Sequence, residues 1–210
     1  MGDSMSTIIN ATTTNGVVIQ PDNSGSLVLQ TNNGTTALTI STAQNATFAA
    51  QATIPTINLT GGQIVFPATQ SASANANTLD DYEEGTFTPF IRGNTTAGTA
   101  SYTRQIGIYT KIGNRVFFTI SIEWSSGTGT GALTIGGLPF TQNGDGNDLP
   151  YAISESGNVA WDANYFPTPA GGNNTTIIYL NTSRVGASGV SLNTNYDAAG
   201  YVSMSGHYKI

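Results

Sequence analysis

Arg115-Val116-Phe117-Phe118-Thr119-Ile120-Ser121-Ile122-Glu123-Trp124 settles the fold class. Val116, Phe118, Ile120, Ile122 and Trp124 alternate with Phe117, Thr119, Ser121 and Glu123. A period of two places one set on a buried face and the other on a mostly polar face of a β-strand. The preceding Ile112-Gly113-Asn114-Arg115 reads as a tight turn, because Gly and Asn tolerate positive φ. Gly107 to Trp124 is therefore expected to be a hairpin.

Outward from this hairpin the same texture continues. Phe87–Ile91, Thr99–Arg104, Ala132–Ile135, Tyr151–Ser154, Thr175–Leu180 and Tyr201–Tyr208 are short strand candidates broken by Gly, Asn and Pro. Strands at this spacing predict a β-sandwich, jelly-roll-like, over residues 85–210. No stretch supports a long helix. The chain is expected to be all-β.

Composition agrees. Charged residues make up 9% of the chain, against roughly 25% in ordinary soluble domains. Hydroxyls and amides supply the polarity instead, which suits turns and exposed strand faces. The net charge is −6, and the six basic residues (Arg92, Arg104, Lys111, Arg115, Arg184, Lys209) are scattered. No basic stripe is present to neutralise phosphates, so nucleic acid is not an expected partner. No apolar run reaches the ~18–20 residues that span a bilayer as a helix, so membrane insertion is not expected. The first ten residues contain Asp3 and no basic residue, so a secretory leader is not visible. Cysteine is absent, which removes disulfides, thiolate ligands and thiol nucleophiles together.

The N-terminal part is thinner. Val17-Val18-Ile19, Leu27-Val28-Leu29, Leu38-Thr39-Ile40 and Phe48 recur at intervals of about ten residues, separated by Pro21-Asp22-Asn23-Ser24-Gly25 and Asn32-Asn33-Gly34. Ile57/Leu59 and Ile64/Phe66 continue the pattern. Two inward side chains per run cannot build a core in one copy, so self-association is expected, as a three-chain β-repeat stalk over residues 16–67. The competing reading is an arm that orders only on docking. Residues 1–15 form a candidate attachment segment, and residues 68–84 a linker and junction, beginning with the small, polar Ala68–Thr78.

Three motifs carry a family resemblance. Leu79-Asp80-Asp81-Tyr82-Glu83-Glu84-Gly85-Thr86-Phe87-Thr88-Pro89, then Gly107-Ile108-Tyr109-Thr110-Lys111-Ile112-Gly113-Asn114-Arg115-Val116-Phe117-Phe118, then Ile135-Gly136-Gly137-Leu138-Pro139-Phe140 together resemble a C-terminal head module of virion appendages, such as tail fibres, of tailed bacteriophages. The resemblance implies a homotrimer located on the virion, held to a tail or capsid protein through the N-terminal segment. Its head would contact a host cell-surface glycan or protein, or would decorate the capsid as a head fibre or vertex protein without binding a receptor. A polysaccharide depolymerase is a third class. Since no large anchoring domain precedes the repeats, the anchor is expected either within about the first fifteen residues or on an adaptor or the capsid.

Asp80, Asp81, Glu83 and Glu84 are four of the chain's twelve carboxylates. Glycoside hydrolysis needs two carboxyl groups about 5 Å or about 6.5–9.5 Å apart across a sugar. Such pairs converge from separate strands, whereas a contiguous run reads as a solvated turn or an ion-pairing collar. The expectation is a junction and trimer contact built from Asp80, Asp81, Tyr82, Glu83, Glu84 and Phe87, in which Tyr82, Phe87 and Pro89 seat the head and the carboxylates face solvent or a cation. No catalytic residue is assigned, the protein is not expected to be an enzyme, and no cofactor is expected.

Asn143-Gly144-Asp145-Gly146-Asn147-Asp148 alternates oxygen ligands with glycine, as calcium loops do. The downstream bidentate Glu is missing, so Asp145, Asn147 and Asp148 are only weak metal candidates and a plain glycine-rich connection is the preferred reading. His207, the single histidine, reads as a sheet residue, with a threefold-axis metal site as the alternative. Sugars are bound by aromatic faces and by amide or carboxylate hydrogen bonds. On that basis Trp161, Asp162, Asn164, Tyr165, Asn173 and Asn174 are the candidate glycan or receptor contacts. The competing reading is that Trp161, Tyr165 and Phe166 plug the sandwich or pack between protomers.

Overall fold

The computed structural model describes residues 25–31, 33–75, 77–144, 151–159, 161, 165–184, 191–193 and 198–210. Expectations placed on the first strand run, on the attachment segment, on Asp145, Asn147 and Asp148, and on Asp162 and Asn164 lie outside these residues, as do the side chains of Tyr165 and Phe166. The chain divides into two compact units, Met1–Gln63 and Ile64–Ile210.

In the first unit β1 (Leu27–Thr31), β2 (Thr35–Ile40) and β3 (Ala46–Phe48) form an antiparallel sheet in that order. Asn33 and Gly34 both take positive φ, 54° and 89°, which lets the chain reverse tightly between β1 and β2. No described residue of this unit is buried. Val28, Leu29, Phe48, Ile54, Ile57 and Leu59 are all at least 43% exposed. The strand pattern expected to continue at Ile57/Leu59 and Ile64/Phe66 does not form. Among the described residues no strand lies between Phe48 and Tyr82, because a lone extended segment has no neighbouring ladder to satisfy its N–H and C=O groups.

The second unit contains β4 (Tyr82–Phe87), β5 (Phe90–Gly93), β6 (Ala100–Ile112), β7 (Arg115–Gly127), β8 (Leu133–Gly136), β9 (Tyr151–Gly157), β10 (Tyr165–Pro167), β11 (Ala170–Gly171), β12 (Ile178–Tyr179), β13 (Asn181–Arg184), β14 (Ser191–Asn193) and β15 (Gly200–Lys209). They make a five-stranded sheet, β4-β6-β7-β15-β9, a four-stranded sheet, β11-β12-β8-β5, and a small one, β10-β13-β14. Every strand pairing is antiparallel. The fold is all-β.

The core is shared by the two larger sheets. Val116, Phe118, Ile120, Ile122 and Trp124 from β7, with Val202, Met204 and Tyr208 from β15, meet Ile91, Leu133, Ile135 and Ile178 from the other sheet. This is the sandwich expected from the β7 alternation. The expected hairpin also forms: Ile112 pairs with Arg115 across Gly113-Asn114, with Gly113 at φ 55°.

Two boundaries differ from the sequence reading. Phe87–Ile91 is not one strand, because Thr88-Pro89 carries the chain from the five-stranded to the four-stranded sheet. Proline has no N–H to give a ladder, and the Gln105 side chain donates instead to the Pro89 carbonyl at 2.9 Å. Conversely, Thr99–Arg104 and Gly107–Ile112 merge into the single long β6, with register irregularities around Tyr102.

Candidate functional site

The four carboxylates at the start of the sandwich part company, and strand geometry is the reason. Successive side chains of a strand point to opposite faces, so Glu83 and Glu84 in β4 diverge. Glu83 lies opposite Lys111, and Glu84 opposite Thr110, in the β4–β6 register. Glu84 accepts a hydrogen bond from the Tyr82 hydroxyl on its own side. Glu83 accepts one from the Tyr109 hydroxyl on the other.

Gly85 makes that second contact possible. Tyr109 pairs with Gly85, and a Cβ there would stand 2.6 Å from the Tyr109 hydroxyl. Without it the ring crosses β4 toward Glu83, held by Phe87 (centroids 6.4 Å apart) and edge-on by Phe140 (5.4 Å, 85°). The hydrogen bond to Glu83, then burial and the nearby negative charge, push the Tyr109 phenol up to about 12. The Tyr82 phenol is raised in the same way by its hydrogen bond to Glu84.

Asp81 corrects the expectation that the carboxylates face solvent or a cation. It is 5% exposed, and the Lys111 ammonium, itself on a residue 7% exposed, donates to its carboxylate. The same ammonium stands 5.0 Å from the centre of the Phe140 ring, and the Asp81 carbonyl accepts from the Gly113 N–H at 2.9 Å. One residue thus ties the entry of β4 to both the last residues of β6 and the turn of the β6–β7 hairpin. The fourth carboxylate, Asp80, accepts from the Ser73 N–H at 2.8 Å. Among the described residues no group of three His, Asp or Glu side chains is placed to hold a metal ion.

The second candidate site is the loop-borne aromatic and amide set. Trp161 is partly buried against the sandwich core and donates through Nε1 to the Ser156 hydroxyl at 3.0 Å. Asn173 and Asn174 are exposed in the turn between β11 and β12, and Asn174 takes φ 53°. Pro167, Thr168 and Ser183 position the neighbouring small sheet, with the Thr168 and Ser183 hydroxyls 2.9 Å apart.

A residue that sequence reasoning passed over holds this end together. Gln142 is fully buried. Its amide nitrogen donates to the carbonyls of Thr175 (3.1 Å) and Ile177 (2.8 Å), and its amide oxygen accepts from the Tyr151 hydroxyl at 2.5 Å. It therefore fixes the turn that displays Asn173 and Asn174 onto the five-stranded sheet. An amide after Pro139-Phe140-Thr141 carries no signal of burial in the sequence. Burial also raises the Tyr151 phenol, and it raises that of Tyr208, which accepts from the Phe140 N–H.

His207 lies on β15 opposite Phe117, with ring centroids 5.4 Å apart. It is a sheet residue on the face away from the core.

No family model and no curated protein sequence matches the chain. Among solved structures it is similar to the Dettilon tailspike protein, with a TM-score of 0.51 at 18% identity over 61% of this chain. The chain spans 24% of that protein's length. The likeness is one of fold: an antiparallel β architecture of the kind described above.

Proposed function

We propose that the protein is a structural component of a tailed-bacteriophage virion, a short tail fibre or related appendage. It acts as a homotrimer, with the N-terminal segment attached to a tail or capsid protein and the sandwich presented to a host-surface glycan or protein. The observation that carries the reading is the first unit's apolar surface. Among the described residues of this unit none is buried, and Val28, Leu29 and Phe48 in the sheet and Ile54, Ile57 and Leu59 beyond it are exposed, which falls short of the core that a stable sheet requires. Further copies of the same stripe supply what is missing. The motif resemblance and the tailspike-like fold support the same assignment. Function by contact rather than by catalysis is favoured because the conspicuous carboxylates are engaged by Lys111 and by tyrosine hydroxyls, and Glu83 and Glu84 face opposite ways.

Three weak contacts on one rigid particle add to an avidity far above that of a single site. Sedimentation of the full chain is expected to give about three times the 21.8 kDa chain mass. A monomer at micromolar concentration would overturn the trimer. Labelling of host cells by the trimer supports receptor binding. An intact trimer that labels no host cell, but binds purified virions lacking it, favours the capsid-decoration reading.

A further inference from the structure

The four-stranded sheet turns Ile91, Ile135 and Ile178 into the core, so the residues alternating with them face outward. Arg92, Thr134 and Tyr179 are register partners in one row of that outer face, and in the next row Phe90 stands opposite Gly136. Glycine at this position leaves room for the ring, because a Cβ there would come 2.7 Å from Cε2 and Cζ of Phe90. Phe90 therefore lies across β8 while staying 41% exposed. The β11–β12 turn places the exposed Asn173 at the same end of the sheet.

Arg92 is the only charged residue in β5, β8, β11 and β12. Its side chain is half-buried, and its Nε is shut off from solvent with no hydrogen-bond partner. The other cations with described side chains are engaged: Lys111 by Asp81, Arg104 by Glu123, and Arg115 and Lys209 within the chain. The described carboxylates, Asp80, Asp81, Glu83, Glu84, Glu123 and Glu155, all belong to the five-stranded sheet or its entry. Packed sheets lie about 10 Å apart, beyond the roughly 8 Å over which charges are felt at physiological salt. Among the described residues the outer face of the four-stranded sheet is thus locally positive, on a chain whose net charge is −6.

A half-desolvated guanidinium beside an exposed ring suits one kind of occupant. The planar fork of an arginine pairs two N–H donors with a carboxylate, and an aromatic face takes the apolar face of a sugar ring. Arg92 and Phe90 are two residues apart on one strand, about 6.6 Å, so a pyranose stacked on Phe90 carries its carboxylate toward Arg92. We infer that this face binds a uronate residue of an acidic polysaccharide. Arg92 holds the carboxylate and Phe90 the ring, with Tyr179 and Asn173 beside them for the neighbouring hydroxyls. The inference rests on the host-contact reading above and names its surface and its ligand class.

The test uses the full-length protein and three immobilised polymers: polygalacturonate, poly-L-glutamate, which has the carboxylates without the sugar ring, and dextran, which has the ring without the carboxylate. Retention by polygalacturonate alone is expected. Arg92→Gln is expected to weaken it about tenfold or more, as the loss of a charge-assisted pair does. Phe90→Leu should weaken it too while keeping an apolar side chain, and Arg104→Gln, which removes the same charge from the other sheet, should leave it unchanged. Arg92→Gln breaks no ion pair among the described residues, so its melting temperature should match the parent's and loss of retention is not loss of fold. No retention on polygalacturonate, or equal weakening by Arg92→Gln and Arg104→Gln, overturns the site. Equal retention on poly-L-glutamate or on dextran overturns the uronate as its occupant. Host-cell labelling undiminished in Arg92→Gln overturns this face while leaving host contact standing, whereas a wild-type protein that labels no host cell overturns host contact itself.

Discussion

Lys111→Met is the most direct probe of the structure, because it removes one charge from a pair that is almost entirely out of water. The Lys111 and Asp81 side chains are 8% and 7% exposed, so the ammonium shields a carboxylate that solvent cannot reach. Removing one partner of such a pair costs about 3–5 kcal/mol, most of it the price of leaving the other charge buried and alone. An exposed pair is worth about 0–1 kcal/mol, and Arg104–Glu123, at 3.9 Å with side chains 39% and 45% exposed, provides that comparison in the same sheet. For a domain of roughly 150 residues each kcal/mol moves the midpoint by about 2–4 °C. Lys111→Met is therefore expected to lower the melting temperature by roughly 6–20 °C, and Glu123→Gln by no more than about 4 °C. Both are read by circular dichroism at one fixed protein concentration, since association shifts apparent stability. The double variant Lys111→Met/Asp81→Leu should recover most of the loss, because apolar replacements of similar volume remove both desolvation costs at once. A Lys111→Met protein that melts within about 4 °C of the parent, or a double variant less stable than either single one, would refute the buried-pair account.

The Tyr109 phenol is held at about 12 in the fold against 10.0 when free, so the protonated form is the one the fold favours. That contribution is complete below pH 10 and disappears as pH rises toward 12; Glu83→Ala should bring the phenolate absorbance transition of Tyr109 back toward 10, and an unmoved transition would exclude the Glu83 contact. Gln142→Ala takes the acceptor from the buried Tyr151 hydroxyl, while the Thr175 and Ile177 carbonyls keep the backbone N–H groups of residue 142 and Gly172, so it should cost about 1–3 kcal/mol in urea unfolding, the cost of one buried orphan. Gly98→Ala puts a Cβ 2.2 Å from the Gly129 nitrogen at φ +70°. Backbone cannot swing aside as a side chain does, so the variant should fall well beyond the roughly 1 kcal/mol of an unstrained glycine replacement, and a neutral melt would show that this crossing is not closely packed.

Much of the fold was legible because sheets are written locally. The Val116–Trp124 alternation names its buried face before any partner is known, and Gly113-Asn114 states where the chain turns. The candidate sites were less legible. Asp81 and Glu83 look alike in the sequence, both acidic in an acidic run, yet one is buried against Lys111 and the other reaches a tyrosine. What separates them is the cross-strand register, which sets Tyr109 over Gly85 and Lys111 beside Glu83. Trp161 fits a sugar platform and a core plug equally in the sequence; in the fold it is partly buried against the core and bonded to Ser156.

By itself, then, the sequence determined the all-β class, the hairpin, the buried stripe of β7 and the poverty of the N-terminal repeats, since each depends on a period of two or on a turn residue within a few positions. Only the tertiary structure decided that Thr88-Pro89 changes sheets, that Gln142 pins a distant turn, that Asp81 is buried, and that Phe90, Arg92 and Tyr179 share one outward face. These depend on which strands become neighbours. Neighbourhood in an antiparallel sandwich is set by contacts between residues far apart in the chain, as with Tyr151 and Gly206 or Phe87 and Gly107, and no local pattern encodes them.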